Sequence, residues 1–341
     1  MKKAQQAYGK SLSYRYLFEC HTASPKFRET SAVAMTIEVF DSRFASVARD
    51  AGPLERLCTG AAWSEGPVWM REDGAVLWSD IPNNRMLRWH AEAGMSVWRE
   101  GVEFTNGHTR EADGALLHCS HGRRAIVRTR FGSGLLPQDD EVVVDRYQGR
   151  RLNSPNDIVV KRDGSIWFTD PPYGIVSDHE GHKAQSELGR NHVFRFDPAS
   201  GALRSVSDFV EEPNGLAFSP DESLLYVSDT SAALRTDGSG HHHIVAFDVI
   251  GGQDLGNPRV FAVVAPGLAD GFRVDVHGFV YTSSADSVQV YHPDGTRMAR
   301  IAVPEKVGNL TFGGSDGDEL YVCASTSLYR IRLNTRGAAG A

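Results

Sequence analysis

The chain has 341 residues, 41% hydrophobic and 23% charged, and its 36 Lys and Arg against 43 Asp and Glu give a formal net charge of −7. This profile excludes disorder, collagen and coiled coil, and its mild acidity offers no electrostatic pull toward nucleic acid or an anionic membrane. Apolar runs stop at about five residues, against the roughly 20 needed to cross a bilayer, so a soluble, cytoplasmic protein is expected.

The N-terminal stretch has early lysines but neither an apolar core nor a small-residue cleavage site, and does not read as a signal peptide. Residues 1–34 hold six Lys and Arg against two Asp and Glu. Residues 1–37 are expected to be an extension or arm, with Met35 an alternative start. Cys20, Cys58, Cys119 and Cys323 are scattered without a CxxC pair, which suits reduced thiols better than a disulfide framework or zinc finger.

From residue 55 onward helical periodicity is nearly absent and one pattern recurs: a turn with Asp or Gly, a short apolar run, then a small polar residue. The copies are DGAVLWSD from Asp73, DGALLHCS from Asp113, DGSIWFTD from Asp163, DESLLYVSD from Asp221, HGFVYTSS from His277 and DELYVCAS from Asp318. Such runs entered through Asp-Gly are strands, and a repeat of about 40 to 58 residues is the length of a propeller blade. The spacing predicts an all-β, six-bladed β-propeller over 38–335, with a strand near 38–60 closing the ring and 336–341 as a tail.

Upstream of each turn stands one oxygen-bearing side chain: Glu65, Asn106, Asn156, Asn214, Asp270 and Asn309. Five of the six lie seven positions before the turn, and Glu65 lies eight before Asp73. Because the first strand of a blade lines the central channel, these positions form a ring at one mouth. Singly, Asn and Asp ahead of strands are turn formers; in register they offer only hard oxygens, the ligands of Ca²⁺, without the nitrogen and sulfur that zinc prefers. Mg²⁺ also takes oxygen ligands.

SEGPVW, RLNSPNDIVVKRDGSIWFTDPPYG, EEPNGLAFSPDE, LADGFRVDVHG and GNLTFGG resemble the gluconolactonase/regucalcin (senescence marker protein) family, which includes lactonase-like diisopropylfluorophosphatases. The resemblance runs from about Leu54 to Leu333, and NSPND with FTDPPYG is similar to the bacterial and fungal gluconolactonase branch. It implies a divalent metal, usually Ca²⁺, with Zn²⁺, Mn²⁺ or Mg²⁺ as substitutes, held by Glu65, Asn156, Asn214 and Asp270. Asn106 and Asn309 are then assigned to substrate or to support of the ligands. The animal branch has an Arg gripping the sugar where this chain has Ser154.

The implied reaction is lactone hydrolysis, with glucono-1,5-lactone as the expected substrate and Asp270 as base or water-orienting group. His121 and His108 lie near the second blade's mouth, and Tyr173 in DPPYG is a candidate pocket wall. His241, His242 and His243 read as a solvated loop, and Arg150 and Arg151 as exposed. Two other readings share the frame: a phosphotriesterase-type hydrolase, and a non-enzymatic binding platform with a structural metal.

Overall fold

Six antiparallel sheets, arranged as the blades of a propeller, and a two-stranded ribbon of Arg146–Tyr147 with Arg150–Arg151 make up the computed structural model, which describes residues 37–132, 136–235 and 237–338. Blade I comprises Ser64–Met70, Ala75–Asp80, Arg85–His90 and Gly94–Glu100, and blade II Thr105–Arg110, Leu116–Ser120, Ala125–Phe131 and Pro137–Val144. Blade III is Ile158–Val160, Ile166–Asp170, His192–Asp197 and Ala202–Ser207; blade IV is Pro213–Phe218, Leu224–Asp229, His243–Ile250 and Asp254–Val263. Blade V holds Phe272–Val274, Val280–Thr282, Ser287–Tyr291 and Arg297–Ala302, and blade VI Val307–Gly313, Glu319–Ala324 and Ser327–Arg332.

Each repeated turn links a blade's first and second strands. In blades II, III and IV the turn Asp side chain accepts the N–H two residues on: Asp113 from Ala115, Asp163 from Ser165 and Asp221 from Ser223. Where blade IV has Glu222 instead of glycine, the chain still takes the left-handed conformation, at φ 58°.

The second strands are buried on both faces because each blade packs against two others. Along Ala75–Asp80, Val76 and Trp78 pack with Tyr321 and Cys323 of blade VI, whereas Leu77 joins Leu116 of blade II. Six apolar clusters of this kind fill the spaces between adjacent blades. The strands therefore read as continuous apolar runs rather than alternating ones.

Glu55–Thr59 pairs antiparallel with Ser327–Arg332 and supplies the fourth strand of blade VI, with Arg330 Nη2 2.6 Å from Glu55 Oε2. The ring thus closes where the repeat count predicts. A second N-terminal strand, Ile37–Val39, adds to the outer edge of blade V through Arg297–Ala302 and was not anticipated. The extension expected over 1–37 lies, apart from Ile37, outside the described residues. Of the expected tail, Gly337 bridges Asp275 and the Ala338 N–H donates to Val274 O at 2.9 Å. Cys58, Cys119 and Cys323 are free thiols, and Cys20 lies outside the described residues. Among the described residues no helix is long and apolar enough to cross a membrane.

Candidate active site

The small polar residues that end the second strands build the ring. Asp80 Oδ1 accepts the Ala62 N–H at 2.8 Å, Asp170 Oδ2 that of Asn153 at 2.8 Å, and Asp229 Oδ2 that of Glu211 at 3.1 Å. Ser120 Oγ donates to Glu103 O at 2.9 Å and Ser325 Oγ to Lys306 O at 3.2 Å. In all five cases the residue held stands three positions ahead of a ring residue: Glu65, Asn156, Asn214, Asn106 or Asn309. In blade V, Ser283 Oγ accepts the N–H of Asp270 itself at 2.7 Å.

The residue before each terminal Asp ties one blade to the next. Ser79 Oγ donates to Asn106 O at 2.8 Å, Thr169 Oγ1 to Asn214 O at 2.6 Å, and Ser228 Oγ to Asp270 O at 3.0 Å. Adjacent blades then approach so closely that glycine follows four of the six ring residues, Glu65, Asn106, Asn214 and Asp270. A Cβ on Gly215 would lie 2.4 Å from Asp270 O, and one on Gly271 2.0 Å from Asn309 Cγ.

Five ring residues, Glu65, Asn106, Asn156, Asn214 and Asp270, line one cavity of about 290 Å³ together with His121 and Tyr173. Asn309 does not line it. Its Nδ2 instead donates to Glu65 Oε2 at 3.1 Å, and its Oδ1 accepts the Leu310 N–H. With the Gly66 N–H also on Oε2 at 2.8 Å, Glu65 Oε1 is left buried without a hydrogen-bond partner.

Asn106 repeats this arrangement. His121 Nδ1 donates to Glu180 O at 2.9 Å, which leaves Nε2 as the acceptor facing Asn106 Nδ2 at 3.3 Å. Asn106 Oδ1 is then buried and unpartnered. His121 therefore orients an amide with both ring nitrogens engaged, and burial holds it neutral, its pKa lowered to about 4. Tyr173 O–H meets Thr230 Oγ1 at 2.5 Å.

Burial pushes Glu65 well above the usual carboxylate range, with Asp270 adding like-charge repulsion. Asp270 is pushed up to about 6, chiefly by burial, against the opposing pull of Lys306 and of the Asn214 amide. Two buried carboxylates, two unpartnered oxygens and further amides, with no nitrogen or sulfur among the ring donors, fit a hard divalent cation.

Trp63, Glu180, Thr230 and Lys306 also line the cavity and were not singled out from sequence. They lie outside the six ring positions, and where a place does recur, as that of Lys306 three ahead of Asn309 does, the residue type changes from blade to blade, so no repeated chemistry pointed to them. Below the ring, Asp157 Oδ2 lies 3.5 Å from Asn309 Nδ2 and 3.6 Å from Arg273 Nη1. Farther along the first strands a second cavity of about 520 Å³ opens, and His108 lines that one instead, its Nδ1 donating to Gly66 O at 2.6 Å.

Ser154 is buried away from the cavity, accepting the Gly174 N–H and donating to Pro171 O, so it pins the DPPYG turn. Arg151 donates to Arg123 O, and neither Arg150 nor Arg151 lines the cavity. The histidine run is more ordered than a solvated loop: His243 opens a strand opposite Val263, His242 donates to Val264 O, and the rings of His241 and His243 stack at 4.7 Å. Glu211, Asp229 and His241 bring ligating atoms within 4.8 Å of one another. Backbone N–H groups occupy both Asp229 oxygens and Arg235 Nη1 lies 2.7 Å from Glu211 Oε2, so an arginine already supplies the cation there.

Residues 63–326 match the family model described as SMP-30/Gluconolactonase/LRE-like region. A gluconolactonase from Zymomonas mobilis is 32% identical over 322 residues, covering 88% of this chain and 87% of that protein. A pentonolactonase from Haloferax volcanii is 30% identical over 274 residues, 77% of this chain and 82% of that one. The solved structure of a gluconolactonase from Xanthomonas campestris superposes with a TM-score of 0.79 at 38% identity, covering 87% of this chain and 94% of that one.

Proposed function

The chain belongs to the SMP-30/gluconolactonase/LRE-like family, and on that premise we propose that it is a divalent-metal-dependent lactonase, with Ca²⁺ as the ion and glucono-1,5-lactone, opened to gluconate, as the substrate. One observation carries the metal: Glu65 Oε1 is buried without a hydrogen-bond partner in a wall of the cavity that it shares with a second carboxylate, Asp270. Glu65, Asn156, Asn214 and Asp270 would hold the ion. When bound, it supplies Lewis-acid polarisation of the lactone carbonyl and offsets the two carboxylate charges.

The chain's own groups do the rest. Asp270 orients water and accepts its proton as the water oxygen bonds to the carbonyl carbon. The ring C–O bond then breaks, the proton passes to the departing ring oxygen, and the new carboxylic acid ionises. Asn106 Oδ1 accepts from a substrate hydroxyl, a use open to it because His121 occupies the amide nitrogen. Lys306, 5.0 Å from the Trp63 ring centroid, is the one lysine or arginine lining the cavity among the described residues and faces the carboxylate product.

The test is proton release from glucono-1,5-lactone, with spontaneous opening subtracted, on chelated protein supplied in turn with Ca²⁺, Mg²⁺, Mn²⁺ and Zn²⁺. A pentono-lactone runs in parallel. Turnover restored by an ion, Ca²⁺ above all, is the expected result. No turnover of either lactone with any ion would sink the reading.

A further inference from the structure

Thr230 follows the terminal Asp229 of blade IV's second strand and is 2% exposed. Its hydroxyl is a junction. Oγ1 lies 2.5 Å from Tyr173 O–H, 3.4 Å from Glu212 O, and accepts the Asn214 Nδ2–H at 3.2 Å. The Glu212 carbonyl can only accept, so the Thr230 hydrogen goes to it and Oγ1 accepts from Asn214; the amide atom facing Thr230 is therefore nitrogen rather than oxygen. With nitrogen held on that side, Oδ1 is the atom left to offer.

We infer that Thr230 is a positioning residue for the metal site: its hydroxyl, braced by Tyr173, fixes the Asn214 amide so that Oδ1 is presented as a ligand. The inference rests on the reading of Asn214 as a metal ligand. Without the hydroxyl, one amide hydrogen is unpartnered in a buried wall. Rotation that recovers a partner turns nitrogen toward the ion, and nitrogen of an amide does not ligate a hard cation. Partners that orient ligands in this way typically govern affinity by 10–100-fold. Tyr173 thus acts on the site through Thr230, in addition to lining the cavity.

Calcium titration calorimetry on chelated wild type, Thr230→Val and Thr230→Ser tests this, with the melting temperature of each metal-free protein measured alongside. Valine keeps the shape and removes the hydroxyl; serine keeps the hydroxyl. The expected result is Ca²⁺ binding at least about 10-fold weaker in Thr230→Val and within about threefold of wild type in Thr230→Ser. Equal affinity in wild type and Thr230→Val would overturn the inference, as would a Thr230→Ser variant as weak as the valine one. Wild type that binds no Ca²⁺ would overturn the metal reading itself, and the inference with it. If Thr230→Val does not fold by circular dichroism, Thr230→Ala takes its place under the same two criteria.

Discussion

Glu65 shows how one residue is prepared for two partners. Oε2 is saturated by the Gly66 N–H and Asn309 Nδ2, while Oε1 has none. Replacing Asn309 by Leu removes a donor without touching the cavity wall, so the carboxylate loses its fixed orientation. Ion affinity should fall roughly 10–100-fold, with kcat at saturating ion less affected. Asp270→Asn should behave differently, because the proton acceptor itself is gone: kcat should drop by about 10²–10⁴ even at saturating ion. Lactone turnover measured across an ion titration separates the two, and a uniform loss in both variants would contradict the assigned roles. Gly271→Ala should resemble the Asn309 variant with added instability, since the new Cβ would fall 2.0 Å from Asn309 Cγ. A melting curve beside the titration would show both effects.

At the level of strands, the repeat performs the positioning. The Ser-Asp or Thr-Asp ending is legible in WSD, FTD and VSD, but its purpose is not, because Asp170 meets Asn153 and Thr169 meets Asn214 only once the blades stand side by side. The blade count, the closing strand and the ring were readable since turn chemistry and apolar runs are local signals. Lys306, Thr230 and Glu180 were not: Lys306 and Thr230 stand at repeated places, but the residue type there changes from blade to blade, and Glu180 lies in an insertion between strands of blade III. Asn309 was readable as a ring member assigned to substrate or to support of the ligands, but Glu65 as the ligand it supports was not, since that contact spans 244 residues of sequence. Ile37–Val39 was missed for the same reason: its only signal is an edge whose partner begins at Arg297. The closing strand leads to a prediction at this scale. A chain beginning at Ala61 loses Glu55–Thr59 and the buried Leu54, leaving blade VI with an open edge and the ring without its fastening. Its melting temperature should fall by roughly 10 °C or more, or no soluble protein should form. An unchanged melting curve would show that the ring does not depend on this closure.

For the molecule as a whole, stability should carry the mark of a carboxylate that serves the scaffold. Asp170 is fully buried at the end of blade III's second strand, accepts the Asn153 N–H through Oδ2, and has Oδ1 without a partner. Burial pushes its pKa up to about 7, against hydrogen bonds that pull it down, whereas the unfolded chain releases this proton near the ordinary Asp value of about 3.9. Between these two values the folded state holds a proton that the unfolded state has lost. Folding stability therefore falls as pH rises through this window, with a slope of up to about 1.4 kcal/mol per pH unit from this group, and levels off above about 7. Asp170→Asn removes the titration while keeping an oxygen to accept from Asn153. Near pH 4 the variant should match wild type, whose Asp170 is then protonated and similar in shape to the amide. By pH 8 the variant should be the more stable by about 2–4 kcal/mol. Comparing the two proteins cancels the contributions of Glu65 and Asp270, which both share, so urea unfolding at a series of pH values reads Asp170 alone. Parallel stability curves would mean that Asp170 ionises in the folded protein as readily as in the unfolded chain, and that the strand end tolerates a buried charge.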